Sequence, residues 1–80
     1  MVTPESIKSA IERGLDCELV DVRGDGHHFE ALIVAQGFRG LSRIARHRLV
    51  YAALGDRMRE EVHALSMRTL TPEEQASGSG

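Results

Sequence analysis

The sequence predicts a two-layer α+β domain in which helices cover one face of a three-stranded mixed sheet. Apolar residues recur at helical spacing near the start and in the middle of the chain. Between them, two β-branched runs flank a Gly-Asp-Gly turn. The predicted element order is α-β-β-α-α-β-α, and 80 residues leave room for one core. We therefore expect a single domain over residues 1–76 and a flexible tail over residues 77–80.

The first helix is predicted to begin after Thr3, because an N-cap hydroxyl there precedes proline at the first helical position. Gly14 can end this helix. Residues 17–23 and 28–35 then read as two strands of a hairpin around the turn. The second strand contains the run ALIVA, which is apolar on both faces. That strand is therefore expected to be central in the sheet.

The second half of the chain predicts three helices and one strand. Ser42 is an N-cap for a helix that Gly55 interrupts, and residues 56–61 read as a short second helix. Residues 62–67 read as the third strand. Thr71 repeats the Thr-Pro helix start, with Glu74 placed as in a capping box. The link between the second and third strands passes through helices, so those strands are expected to run parallel.

Composition favours a cytoplasmic protein. The single cysteine, Cys17, cannot form an internal disulfide, which favours a reducing compartment. The first ten residues lack a basic-then-apolar signal pattern. The longest apolar run, residues 31–35, is far too short to cross a bilayer, so no membrane association is expected.

The charges are unevenly distributed, although the net charge is only −2. No acidic residue occurs between Glu30 and Asp56, and this gap holds Arg39, Arg43, Arg46 and Arg48. Such a basic segment suggests a face for an anionic partner, and the alternative is an ordinary solvated helix face. His47 lies among these arginines, so its protonation should be disfavoured.

Three stretches in order resemble the BolA family: GDGHHFEALIV, FRGLSRIARHRLVYAALG and VHALSMRTLTPEE. The middle stretch matches the family pattern through Phe38, Gly40, Arg43, Arg46, His47 and Val50. The short Gly-Asp-Gly loop looks like the bacterial branch. Gln75 departs from the aromatic residue with which the family often ends its signature. The resemblance covers nearly the whole chain and implies a class II KH-like topology.

The resemblance also implies a function. BolA-like proteins are partners of monothiol glutaredoxins, and the two chains hold a 2Fe-2S cluster between them. The glutaredoxin and a bound glutathione supply thiolates, while the BolA side supplies histidines. Carried onto this chain, the ligands are His63 first, and then His27 or His28 in the hairpin loop. No cofactor is expected in the isolated chain, which should be a monomer or a weak homodimer.

The adjacent histidines are not equivalent. Side chains of successive strand residues point to opposite faces, so His27 and His28 should not both bind one iron. His28 aligns with a family position that can be structural. His27 lies nearer the turn and is freer to move, which favours it as the loop ligand. Both remain candidates.

Two other classes of function compete with this interpretation. The arginine-bearing, helix-turn-helix-like face could contact the phosphates of DNA, as in a transcriptional regulator. Gly37 and Gly40 have the Gly-x-x-Gly spacing of a KH loop, but they lie between a strand and a helix rather than between two helices. An enzyme is not expected, because the sequence offers no nucleophile–base pair, phosphate loop or carboxylate dyad.

Overall fold

The computed structural model describes residues 2–58 and 64–77. The elements follow the predicted order and confirm the α+β class. Two 3-10 turns, Gln36–Phe38 and Gly55–Met58, flank the long central helix. The helices and strands are α1 (Pro4–Gly14), β1 (Leu19–Gly24), β2 (Phe29–Val34), α2 (Arg43–Leu54), β3 (Leu65–Leu70) and α3 (Pro72–Ala76).

Each helix begins at the cap residue that the sequence predicts. The Thr3 hydroxyl accepts the Ser6 N–H at 3.1 Å, and the Ser6 hydroxyl accepts the Thr3 N–H at 3.0 Å. The Ser42 hydroxyl accepts an N–H from the first turn of α2 at 3.2 Å. Thr71 and Glu74 form a second reciprocal pair at the start of α3. These bonds satisfy backbone donors that a helix leaves without intrahelical partners.

The sheet has the strand order β1-β2-β3, so β2 is central as predicted. β1 pairs antiparallel with β2, and Gly24 lies opposite Phe29. β2 pairs parallel with β3, from Phe29 opposite Leu65 to Val34 opposite Leu70. The hairpin and the parallel pair are therefore both confirmed. The parallel register brings the residue before β2, His28, beside the start of β3.

The core lies between α1, α2 and one face of the sheet. Its largest fully buried side chains are Phe29, Phe38, Ile7, Ile11, Ile33 and Val50. The helices approach closely at Gly14, where an added Cβ would lie 2.6 Å from the Cβ of Ala53. The opposite sheet face carries exposed polar side chains on all three strands, including Arg23, Glu30 and Arg68. The fold is thus the two-layer arrangement that the sequence predicts.

Several predicted boundaries are wrong. The chain after Gly55 forms a 3-10 turn to Met58 rather than an α-helix, and residues 59–61 lie outside the described part. The third strand begins at Leu65 and ends at Leu70, three residues beyond its predicted end. Residues 62 and 63 lie outside the described part. The first strand begins at Leu19 rather than at residue 17.

The register of β2 explains the shift of the third strand. Each residue of Phe29–Val34 has a partner in β3, so the length and position of β2 decide where β3 runs. The local apolar pattern over residues 62–67 does not contain that information. The predicted tail over residues 77–80 falls outside the described residues except for Ser77, so it stays a prediction. Among the described helices, none is long and apolar enough to cross a membrane.

Candidate histidine site and cationic cleft

Asp25 holds the backbone of the hairpin turn. Its Oδ1 accepts the N–H groups of His27 and His28, both at 2.9 Å. The Asp25 N–H donates to the carbonyl of His28 at 3.2 Å. The two bonds from the histidine N–H groups lower the pKa of the Asp25 carboxyl below its ordinary value. The expected mobility of this turn is therefore limited at the backbone by an Asx-type arrangement.

His28 is the histidine that reaches β3. Its Nε2 lies 3.3 Å from the hydroxyl oxygen of Ser66. The contact follows from the parallel pairing, because Phe29 lies opposite Leu65. His28 directly precedes Phe29 in the chain, and Ser66 directly follows Leu65. His27 is also exposed and lies one residue nearer the turn. Both imidazoles are accessible from solvent, as a ligand to a shared group requires.

His63, the first predicted ligand, lies outside the described residues. Within residues 2–58 and 64–77, no three His, Cys, Asp or Glu side chains cluster closely enough to hold a metal ion. The ligand set therefore stays a prediction. What the described residues do provide is an exposed imidazole, His28, placed beside the strand that follows His63.

Arg46 occupies a structural position. Its Nε donates to the carbonyl of Leu41 at 3.0 Å, and its Nη1 donates to the carbonyl of Thr69 at 2.9 Å. Nη1 also lies 2.7 Å from a carboxylate oxygen of Glu74. The guanidinium covers the ring of Phe38 at 5.9 Å, and only 13% of the side chain is exposed. Arg46 thus joins α2 to β3 and α3.

The ion pair between Arg46 and Glu74 changes the pKa of the Glu74 carboxyl. The hydrogen bond from Arg46 is the largest cause that lowers the pKa of Glu74 to about 2, and the Thr71 N–H adds to it. Both partners of Glu74 favour its ionised form. The same carboxylate therefore caps α3 and anchors the central helix.

The four predicted arginines divide into two pairs. Arg39 bonds the carboxylate of Glu73, and Arg46 bonds that of Glu74. Arg43 and Arg48 are exposed on α2, and in the described part of the chain neither forms an ion pair. The basic gap in the sequence therefore does not form one uniform binding face. Helical spacing could not reveal this, because the acidic partners lie 28 and 34 residues away.

A cleft of about 620 Å³ separates α2 from β3. Arg43, His47 and Arg68 line it, together with the Arg46–Glu74 pair. Burial, and secondly the charge of Arg43, lower the pKa of His47 below its ordinary value. This agrees with the expected disfavoured protonation, although burial is the larger cause. Arg68 could not be predicted from the basic gap in the sequence, because it lies on a strand outside that gap.

The family model for BolA-like protein matches residues 1–74 of this chain. BolA-like protein 1 of Bos taurus is 36% identical over 77 residues, an alignment covering 84% of this chain and 57% of that protein. The DNA-binding transcriptional regulator BolA of Vibrio cholerae is 42% identical over 52 residues, covering 65% of this chain and 49% of the regulator. The chain thus spans about half the length of these relatives.

The structure of a BolA protein homologue from Coxiella burnetii has the same fold, with a TM-score of 0.83 and 48% sequence identity. The match covers 95% of this chain and 99% of that one. A mixed three-stranded sheet, the helix order and the motif-bearing hairpin define the class of protein. The chain belongs to the BolA-like family. Neither relative's name denotes an enzyme.

Proposed function

We propose that this chain is a BolA-like adaptor that binds a monothiol glutaredoxin and shares a bridging 2Fe-2S cluster with it. The chain supplies imidazole ligands, and the glutaredoxin and its bound glutathione supply thiolates. The role is iron–sulfur cluster trafficking or iron and redox sensing. One observation carries the proposal: the exposed His28 imidazole lies against Ser66 at the start of β3.

Chain connectivity supports a two-histidine contribution. His63 is joined through Ala64 to Leu65, the first residue of β3. Leu65 pairs with Phe29, which directly follows His28. The sheet register therefore holds His28 and the attachment point of His63 at one end of the parallel strand pair.

The loop ligand is assigned from the contacts of the two histidines. The sequence favours His27, whereas the contact between His28 and Ser66 favours His28. A metal-bound imidazole usually bonds a neighbouring group through its other ring nitrogen, which fixes the ring orientation. With Nε2 of His28 on the Ser66 hydroxyl, Nδ1 has no hydrogen-bond partner among the described residues and is the nitrogen that we propose for iron. We therefore propose His63 and His28 as the ligands, with His27 as the alternative to His28.

Imidazole ligation suits a cluster that is passed on or sensed. When bound, the cluster supplies a one-electron redox centre, and imidazole in place of thiolate raises its potential. A neutral imidazole is protonated near physiological pH and leaves iron more readily than a thiolate does. Because the ligands come from two chains, association depends on the cluster.

Titration of cluster-loaded monothiol glutaredoxin with this chain tests the proposal. We expect the visible absorption and circular dichroism to change as a mixed-ligand complex forms. His63→Ala and His28→Ala should abolish the change, and His27→Ala, the matched control one residue away, should preserve it. An unchanged spectrum for His63→Ala would show the ligand assignment to be wrong. If His27→Ala abolished the change and His28→Ala preserved it, His27 would be the loop ligand.

Nucleic-acid binding is the second candidate function. It is favoured by exposed Arg43 and Arg48 on α2, and by the name of the Vibrio cholerae relative, a DNA-binding transcriptional regulator. The test is the affinity of an Arg43→Gln/Arg48→Gln variant for duplex DNA over a range of salt concentrations. Loss of phosphate contacts should weaken binding and flatten the salt dependence. Equal affinity in both proteins would exclude this face. Arg46 is left intact because it holds the fold together.

A further inference from the structure

The outer edge of β3 presents backbone groups toward the cleft. In the described part of the chain, β3 pairs with β2 on one side only. The Leu70 carbonyl accepts the Ala35 N–H, so the backbone groups of Leu70 point toward β2. Alternate residues of a strand direct their backbone groups to opposite sides. The N–H groups of Met67 and Thr69 therefore point away from β2, toward α2.

The contact of Arg46 with β3 confirms the direction of these backbone groups and limits the part of the edge that can pair with another strand. Its guanidinium bonds the outward carbonyl of Thr69, so this acceptor is already used. Within residues 2–58 and 64–77, the backbone groups of Met67 and the N–H of Thr69 remain as pairing positions, and both residues line the cleft. An incoming strand would thus find donors and an acceptor along β3, and would be stopped at the Arg46–Glu74 pair.

The cleft has a positive charge balance. Arg43 and Arg68 lie on opposite sides of it, on α2 and on β3. Neither forms an ion pair within residues 2–58 and 64–77. The charges of Arg46 and Glu74 offset each other. The volume of about 620 Å³ is sufficient for a short extended peptide, and Leu41 and Met67 add apolar surface.

We propose that this edge is a docking site for an extended acidic segment of a partner protein, which adds to β3 as a further strand. Main-chain pairing with Met67 and Thr69 supplies the affinity, and carboxylates facing Arg43 and Arg68 supply the selectivity. A peptide fits better than single-stranded nucleic acid, because no Phe, Tyr or Trp among the described lining residues offers a stacking platform. This surface is separate from the histidine site and does not depend on the proposed function.

The test uses an acetylated, amidated peptide of consecutive glutamates as the probe, added to ¹⁵N-labelled protein, because an all-glutamate strand presents carboxylates on both of its faces. We expect the amide resonances of Met67 and Thr69 to shift and their hydrogen exchange to slow. Arg43→Gln should weaken binding by roughly 5-fold, the upper range for an exposed ion pair. Arg48→Gln is the matched control, because Arg48 lies on the same helix but does not line the cleft.

Further probes define the results that would overturn the proposal. The same peptide with every backbone amide methylated cannot pair with β3 along either of its edges, and equal binding of that peptide would overturn the proposal. So would perturbations confined to residues away from the cleft, or no binding at millimolar peptide. Tighter binding of oligothymidylate at the same amides would assign the cleft to nucleic acid instead. Protection of the Met67 amide through self-association, without peptide, would assign it to a second copy of the chain.

Discussion

His47 illustrates how burial and a neighbouring charge act together on one imidazole. It is half-buried on α2 and lines the cleft beside Arg43. Burial is the first cause that lowers the pKa of His47, and the charge of Arg43 is the second. Since the folded protein binds this proton less readily than the unfolded chain, the residue opposes folding as pH falls through its ordinary pKa.

Replacing Arg43 by glutamine should therefore raise the pKa of His47, because the repulsive charge is removed. The pKa should stay below the ordinary histidine value, since burial remains. The measurement is an NMR titration of the His47 ring protons. Arg48→Gln removes the charge of the residue that directly follows His47 in the sequence. It serves as the control and should leave the pKa of His47 unchanged. An unaltered pKa in Arg43→Gln would contradict the electrostatic contribution.

The arginines show what could be predicted at the scale of single residues. Spacing along a helix places Arg43 and Arg46 one turn apart, and this part of the prediction follows from local geometry. Their environments differ because β3 and α3 approach only Arg46 closely enough to supply Thr69 and Glu74 as partners. The contact of His28 with Ser66 is similar, since it exists only once the parallel register is fixed.

At the scale of elements, α1 and α2 are held together by a close backbone approach at Gly14. A Cβ on this residue would lie 2.8 Å from the Cα of Ala53, and backbone atoms cannot move aside cheaply. Gly14→Ala should therefore lower the free energy of unfolding by about 1–3 kcal/mol through overpacking, less any gain in helix propensity. Urea denaturation measures this difference.

Gly37→Ala is the matched control for Gly14. No atom lies within 4 Å of a Cβ built at Gly37, so the change in the free energy of unfolding should stay within about 0.5 kcal/mol. If Gly14→Ala were as stable as the parent protein, the close packing of α1 against α2 would be contradicted.

The contact between α2 and α3 should depend on pH through Glu74. Its pKa is lowered to about 2, mainly by Arg46, so the stabilisation is complete above the ordinary value of 4.5 and is lost as pH falls through about 2. Glu74→Gln keeps a side chain that can complete the capping box but removes the charge. We expect it to lower the urea midpoint at neutral pH.

The difference in urea midpoint between the parent protein and Glu74→Gln should shrink as the pH falls from 4.5 toward 2. Glu18→Gln is the control, because Glu18 is exposed and forms no ion pair in the described part of the chain. A difference that is constant over this pH range would show that the Arg46–Glu74 pair does not contribute through its charge.

Element boundaries were predictable where local chemistry decides them. Thr3, Ser42 and Thr71 begin helices because each hydroxyl bonds an N–H three residues later. Strand limits depend instead on a partner strand, which explains why the local pattern predicts the third strand three residues too early. The order of elements, the hairpin and the parallel pair were still predictable, because connection length restricts how strands can pair.

For the whole molecule, the sheet separates two surfaces along β3. Its beginning, at Leu65, lies next to the histidine-bearing hairpin. Its later residues, from Met67 onward, line the cationic cleft against α2. One partner could therefore share a cluster at the first surface while an acidic segment pairs at the second. The family resemblance predicts the first surface, whereas only the three-dimensional structure brings together the residues of the second.

The central claim is that this chain gives imidazole nitrogen to a cluster shared with glutaredoxin. Pulsed EPR tests it most directly, on the reduced complex of ¹⁵N-histidine-labelled chain with unlabelled glutaredoxin and glutathione. We predict a strong ¹⁵N hyperfine coupling from coordinated imidazole, which the His28→Ala/His63→Ala double variant removes. An iron-loaded complex whose cluster signal shows no ¹⁵N coupling would mean that thiolates alone hold the cluster, and would contradict the account.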